Sequence, residues 1–163
     1  MKKLLYMAIA VAIAATSLSS QAIDGLIAEK EYPTTLNAGK ALVYARLDGE
    51  NLRLAIDAPA SGWVSIGLGS ERMNGSRLFM AYVKDGVAFY SEELATGVSH
   101  RKASDASALQ SAARESGGRT VFEFSVKAAH FLKGGVVDLI WGYSEADDFR
   151  TKHRERGSIK LRF

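Results

Sequence analysis

Asp48-Gly49-Glu50-Asn51-Leu52-Arg53-Leu54-Ala55-Ile56-Asp57-Ala58 decides the fold. Asp-Gly is a turn signal, and behind it Leu52, Leu54 and Ile56 alternate with Arg53, Ala55 and Asp57, the period of two expected of a half-buried strand. Ala41 to Leu47 precedes the turn, so the pair predicts a hairpin. Working outward, Trp63, Ser65 and Gly67 alternate with Val64, Ile66 and Leu68. Leu78, Met80 and Tyr82 likewise alternate with Phe79, Ala81 and Val83, before Lys84-Asp85-Gly86 turns the chain into Val87 to Tyr90. Later strands are expected near Leu109–Arg114, Thr120–Val126, Val136–Trp141 and Gly157–Phe163, separated by Ser116-Gly117-Gly118 and Lys133-Gly134-Gly135. Helical periodicity is nearly absent, with one possible turn at Lys127 to Leu132. About nine to eleven short strands at this spacing predict an all-β fold, an antiparallel β-sandwich. No glycine-rich phosphate loop opens a helix, which argues against a nucleotide-binding α/β enzyme.

The ends of the chain set its organisation. Lys2 and Lys3 precede an apolar run from Leu4 to about Leu18 that closes in Ser20-Gln21-Ala22. The run falls short of the roughly 20 residues needed to span a bilayer and reads as a signal peptide over residues 1–22. A single domain then occupies residues 23–163, with a periplasmic or secreted location and no stable membrane span after cleavage. Lys2 and Lys3 are the only charges in the leader, so 21 basic and 18 acidic side chains become 19 and 18. The basic balance of the precursor therefore gives no reason to expect a nucleic-acid partner. Cysteine is absent. That excludes disulfides, thiolate metal sites and Cys-x-x-Cys-His haem attachment.

Few residues stand out as carriers of chemistry. His153 sits in a charged loop, Asp147-Asp148-Phe149-Arg150-Thr151-Lys152-His153-Arg154-Glu155-Arg156-Gly157, expected to join two strands. Histidine is a common metal ligand, and loops held by a rigid scaffold are where sites concentrate. Met73, in the polar loop Ser70-Glu71-Arg72-Met73-Asn74-Gly75-Ser76, either caps the core or points at something bound. Met80 lies on an alternating strand and reads as core filler. His100, in a surface loop, and His130, in a short segment, read as structural or solvated. No pair of histidines has the close spacing of a zinc motif, and no Gly-x-Ser-x-Gly elbow is present. Glu92-Glu93 and Asp147-Asp148 read as solvated turn acids, so no catalytic residue is assigned.

Five ordered pieces carry a resemblance. They are Asp24-Gly25-Leu26-Ile27 with Glu31-Tyr32, Gly62-Trp63-Val64-Ser65-Ile66-Gly67, Met73-Asn74-Gly75-Ser76-Arg77, Tyr82-Val83-Lys84-Asp85-Gly86, and Trp141-Gly142-Tyr143 with Asp147-Asp148-Phe149 and His153-Arg154-Glu155-Arg156-Gly157. Together the chain resembles DOMON domains over nearly all of residues 23–163, and among them the haem-binding type found as the cytochrome domain of cellobiose dehydrogenase. The resemblance implies an immunoglobulin-like sandwich binding haem b, with Met73 and His153 as iron ligands. It further implies apolar walls drawn from Trp63, Phe79, Tyr143 and Phe149, and propionate partners drawn from Arg72, Arg150, Lys152, Arg154 and Arg156. A related branch, resembling the haem subunit of ethylbenzene dehydrogenase, uses lysine as second ligand, which makes Lys152 the rival of His153. A six-coordinate Met/His centre passes single electrons and offers no open position to a substrate. The expected role is thus electron transfer or redox sensing with a separate redox partner protein, rather than catalysis. The alternative is a sugar or other small-ligand module of the same fold, with Trp63 and Tyr90 as stacking platforms.

Overall fold

A computed structural model describes residues 22–163; the expected signal peptide lies, apart from Ala22, outside the described residues. Eleven strands follow one another: β1 (Thr34–Ala38), β2 (Ala41–Asp48), β3 (Asn51–Ala58), β4 (Val64–Leu68), β5 (Arg77–Lys84), β6 (Val87–Thr96), β7 (Ser99–Lys102), β8 (Ala108–Ser116), β9 (Arg119–Lys127), β10 (Val136–Tyr143) and β11 (Glu155–Arg162). One 3-10 turn, Ala128–His130, stands where the sequence suggested a helical turn. The strands form two antiparallel sheets, β1-β2-β3-β9-β8 and β11-β10-β4-β5-β6-β7. This is the expected all-β sandwich.

The core lies between the sheets because alternation gives each strand one apolar face. Leu52, Leu54, Ile56, Phe122 and Phe124 from the first sheet meet Val64, Ile66, Leu68, Phe79 and Leu139 from the second, all fully buried. Phe79 stacks on Phe124 with ring centroids 4.4 Å apart, joining the two layers. Phe79 is thus a core residue rather than the wall of a binding site.

Three local expectations change. β6 runs on to Thr96, and a two-residue turn at Gly97-Val98 leads into β7, so His100 is on a strand and not in a surface loop. Glu155, Arg156 and Gly157 belong to β11, paired with Tyr143, Gly142 and Trp141. A Cβ on Gly157 would approach Trp141 Cζ2 to 2.7 Å, so only glycine leaves the indole its place. Finally, Arg53 is buried, 5% exposed, where a half-buried strand was expected to show it to water. The lead-in segment from Asp24 to Tyr32 covers that outer face. It brings Glu31 to 3.6 Å from the Arg53 guanidinium.

Candidate functional site

The outer face of the six-stranded sheet carries a second apolar cluster, separate from the main core. Trp63, Leu78, Met80 and Ala95 are buried there, with Met73, Tyr82, Ile140 and Phe149 packed against them. Strand parity explains it. Ser65 pairs with Met80 and Gly142, and Gly67 with Leu78 and Ile140, so these side chains share the face opposite Val64 and Ile66. β4 contributes small residues at the centre. A Cβ on Gly67 would lie 2.7 Å from both Ile140 and Leu78.

Above this floor two loops leave a cleft of about 580 Å³. That is within the usual range of cofactor and small-molecule sites. Met73 from the β4–β5 loop and His153 from the β10–β11 loop both line it, although they lie far apart in the chain. Trp63, Arg72, Phe149, Arg150, Lys152 and Arg156 line it as well. Val98, 92% exposed, is also part of the lining. Besides Phe79, two more residues expected at the site are elsewhere. Tyr143 has the parity of Leu139 and Trp141, faces the main core, and donates a short hydrogen bond to Glu155. Arg154 points away to pair with Glu145.

Each loop is fixed by hydrogen bonds between its backbone and its neighbours. Trp63 Nε1 donates to the Thr151 carbonyl at 3.1 Å, Trp63 N to Ala146 O at 3.0 Å, and Ser144 N to Trp63 O at 2.9 Å. Gly62 permits this seam, since a Cβ there would come within 2.4 Å of the Ala146 nitrogen. The Met73 loop is held by Ser76 Oγ donating to Arg72 O at 2.6 Å. It is tied to the β6–β7 hairpin by Gly75 N to Ala95 O at 3.1 Å and by Gly97 N to Asn74 Oδ1 at 2.8 Å. Met73 and His153 are therefore held on scaffolded loops. This rigidity is what a binding site needs from its first contacts.

The electrostatics suit an amphiphilic guest with an anionic edge. Burial and the nearby Arg156 and Lys152 push the His153 imidazole below its ordinary pKa, against a hydrogen bond to its own backbone that raises it. A neutral ring with a free lone pair is the form that binds metal. Arg72, Arg150, Lys152 and Arg156 make the surroundings cationic, while Glu71 is paired with Lys160. Thioether and imidazole together are a ligand pair for the iron of a macrocycle, and the apolar floor with cationic side chains around it fits such a plane and its carboxylates. Among the described residues no three His, Cys, Asp or Glu side chains cluster to hold a bare metal ion. Nor is any described helix long and apolar enough to cross a membrane.

His100 also lines the cleft, which sequence reasoning missed, as do Leu78, Met80 and Ile140. Met80 is buried as expected but serves this floor and not the main core. Tyr90, the second proposed sugar platform, packs towards Phe122 on the inner side at 5.9 Å and donates to Glu92 at 3.1 Å. Trp63 is almost fully buried on the opposite face, so the two rings cannot present a common stacking surface.

The molecule is an antiparallel β-sandwich with a cleft over one outer face, and solved structures share that fold. No protein-family model matches the sequence, and no curated protein matches it. Among solved structures, the cytochrome domain of Myriococcum thermophilum cellobiose dehydrogenase superposes with a TM-score of 0.59 at 16% identity, over 79% of this chain and 80% of that one. The cytochrome b domain of pyranose dehydrogenase from Coprinopsis cinerea gives 0.59 at 14% identity, over 75% and 76%. The chain shares the fold of these cytochrome domains, as the DOMON resemblance implies.

Proposed function

We propose that this protein is an exported b-type cytochrome domain, holding haem b non-covalently in the cleft with Met73 and His153 as axial ligands. It passes single electrons to or from a separate protein, or reports redox state, and is not itself a catalyst. One observation carries the reading: a thioether and an imidazole, on loops far apart in sequence, line the same apolar-floored, cation-flanked cleft. The structural likeness to two cytochrome domains supports it. Bound there, haem supplies a one-electron couple, and Met/His ligation favours a high reduction potential. The chain's own residues do the rest. Trp63, Leu78, Met80, Ile140 and Phe149 exclude water from the plane, Arg72, Arg150 and Arg156 are placed to meet carboxylates, and the Trp63–Thr151 seam fixes the histidine loop. Export through cleavage after Ala22 is part of the proposal, and the mass of the mature protein tests it.

Titration of the purified protein with hemin is the test of the haem site. The expected result is a stoichiometric complex with a low-spin spectrum that sharpens on dithionite reduction. Failure to take up hemin, together with calorimetric binding of an oligosaccharide, would establish the sugar-binding alternative instead.

A further inference from the structure

We propose that His100 is a reserve iron ligand on the Met73 wall of the cleft, able to take the axial position when the thioether is absent. The inference rests on the haem reading above and adds a third ligating side chain to it.

Position comes first. His100 in β7 pairs with Ala95 in β6, and Ala95 packs in the same apolar cluster as Met73, Leu78 and Met80. The Met73 loop is bonded directly to this hairpin through Gly75 N to Ala95 O, Ala95 N to Ser76 O at 3.0 Å, and Gly97 N to Asn74 Oδ1. His100 and Met73 therefore share one wall, while His153 arrives from the β10–β11 loop.

Orientation is the second observation. Ser91 Oγ donates to Glu93 Oε1 at 2.7 Å, and the other oxygen of Glu93 makes a short hydrogen bond with His100 Nδ1. A carboxylate can only accept, so this bond puts a proton on Nδ1, and in the neutral ring Nε2 keeps its lone pair, with no hydrogen-bond partner among the described residues. Ligating histidines characteristically hand their second nitrogen to a carboxylate that is itself hydrogen-bonded, an arrangement that orients the ring and raises its basicity. His153 has no such side-chain partner among the described residues; a hydrogen bond to its own backbone is its only one. A cross-strand ion pair at the surface would also join Glu93 to His100, but it would not require the ring to line the cleft. Replacing sulfur by a second imidazole gives a centre that favours ferric iron and a lower potential.

The test uses hemin-loaded protein read by absorption and electron paramagnetic resonance. Met73→Ala, and Met73→Leu in case the alanine variant does not fold, are expected to stay low-spin with a bis-imidazole signature and a lowered reduction potential. Adding His100→Gln to either is expected to convert the low-spin signal to five-coordinate high-spin, and adding Glu93→Gln to reduce the low-spin fraction. A single Met73 variant that is already high-spin overturns the proposal, as does low-spin iron persisting in the double variant with His100→Gln. Wild-type protein that takes up no hemin would instead refute the haem reading on which the proposal stands.

Discussion

The two outer faces of the sandwich are treated in opposite ways. On the five-stranded sheet, the outward side chains of β3 and β9 include Arg53 and Glu123, and the lead-in segment closes over them. Glu123, fully buried, accepts hydrogen bonds from Gly25 N at 2.7 Å, Asp24 N at 3.1 Å and Tyr32 Oη at 2.7 Å. Arg46 donates to the Glu31 carbonyl at 3.2 Å, and Arg114 to that of Asp24 at 2.8 Å. The hollow left on that side is lined largely by polar side chains such as Asp48, Asn51, Gln110 and Ser111. On the six-stranded sheet the outward face is apolar at its centre, where Trp63, Leu78, Met80 and Ile140 lie under the cleft, and polar towards its edges, where His100 pairs with Glu93 and Lys160 with Asp138. The first face is finished by the chain's own lead-in segment, even though Glu31 Oε1 and Asn51 Oδ1 make no hydrogen bond there among the described residues, whereas the second keeps an apolar floor under a cleft.

Variants can break this contrast, and the largest effect is expected on the finished face. Glu123→Ala leaves three donors facing a dry cavity and is expected to lower unfolding free energy by about 3 to 5 kcal/mol, measured by urea denaturation, with hemin affinity kept within twofold. Loss of hemin binding in that variant would mean that the two faces are not independent. Gly62→Ala forces a Cβ against the backbone of Glu145 and Ala146. It is expected to cost about 2 kcal/mol, as overpacking does, and to weaken hemin binding, because the same seam positions His153. His153→Ala should leave the unfolding of the hemin-free protein nearly unchanged while weakening hemin at least about tenfold, or about 1.4 kcal/mol. Lys152→Ala should cost less than this, and the reverse order would make Lys152 the ligand. The smallest effect is on alkaline stability. Burial, together with the hydrogen bond to Glu155, pushes the Tyr143 phenol up to about 12. Its protonated form is favoured by the fold, so its contribution is complete below about pH 10 and is lost as pH rises through 12. Tyr143→Phe should therefore flatten the fall in stability over that window.

Alternation made the sandwich legible, because each strand writes its buried face into every second residue. The open face was legible too, in one detail. Leu78, Met80 and Tyr82 are apolar on the side opposite Phe79 and Ala81, and a strand apolar on both sides must be covered on both. Parity also separates Tyr143 from Gly142 and Ile140, and could have removed it from the site. Arg53 was misread since its burial depends on Glu31, a partner brought by a segment whose path the local pattern does not specify. His100 was hidden by its neighbours. Ser99, Arg101 and Lys102 give no apolar alternation, and only pairing with β6 makes them a strand. Met73 and His153 stood out as odd residues in polar loops, but their meeting at one cleft is a tertiary fact.

Iron K-edge X-ray absorption of the hemin-loaded protein tests the central claim most directly. A sulfur scatterer beside the nitrogens around iron, removed by Met73→Leu and retained in Lys152→Ala, is the predicted result. Nitrogen or oxygen scatterers alone in the wild-type protein would contradict it.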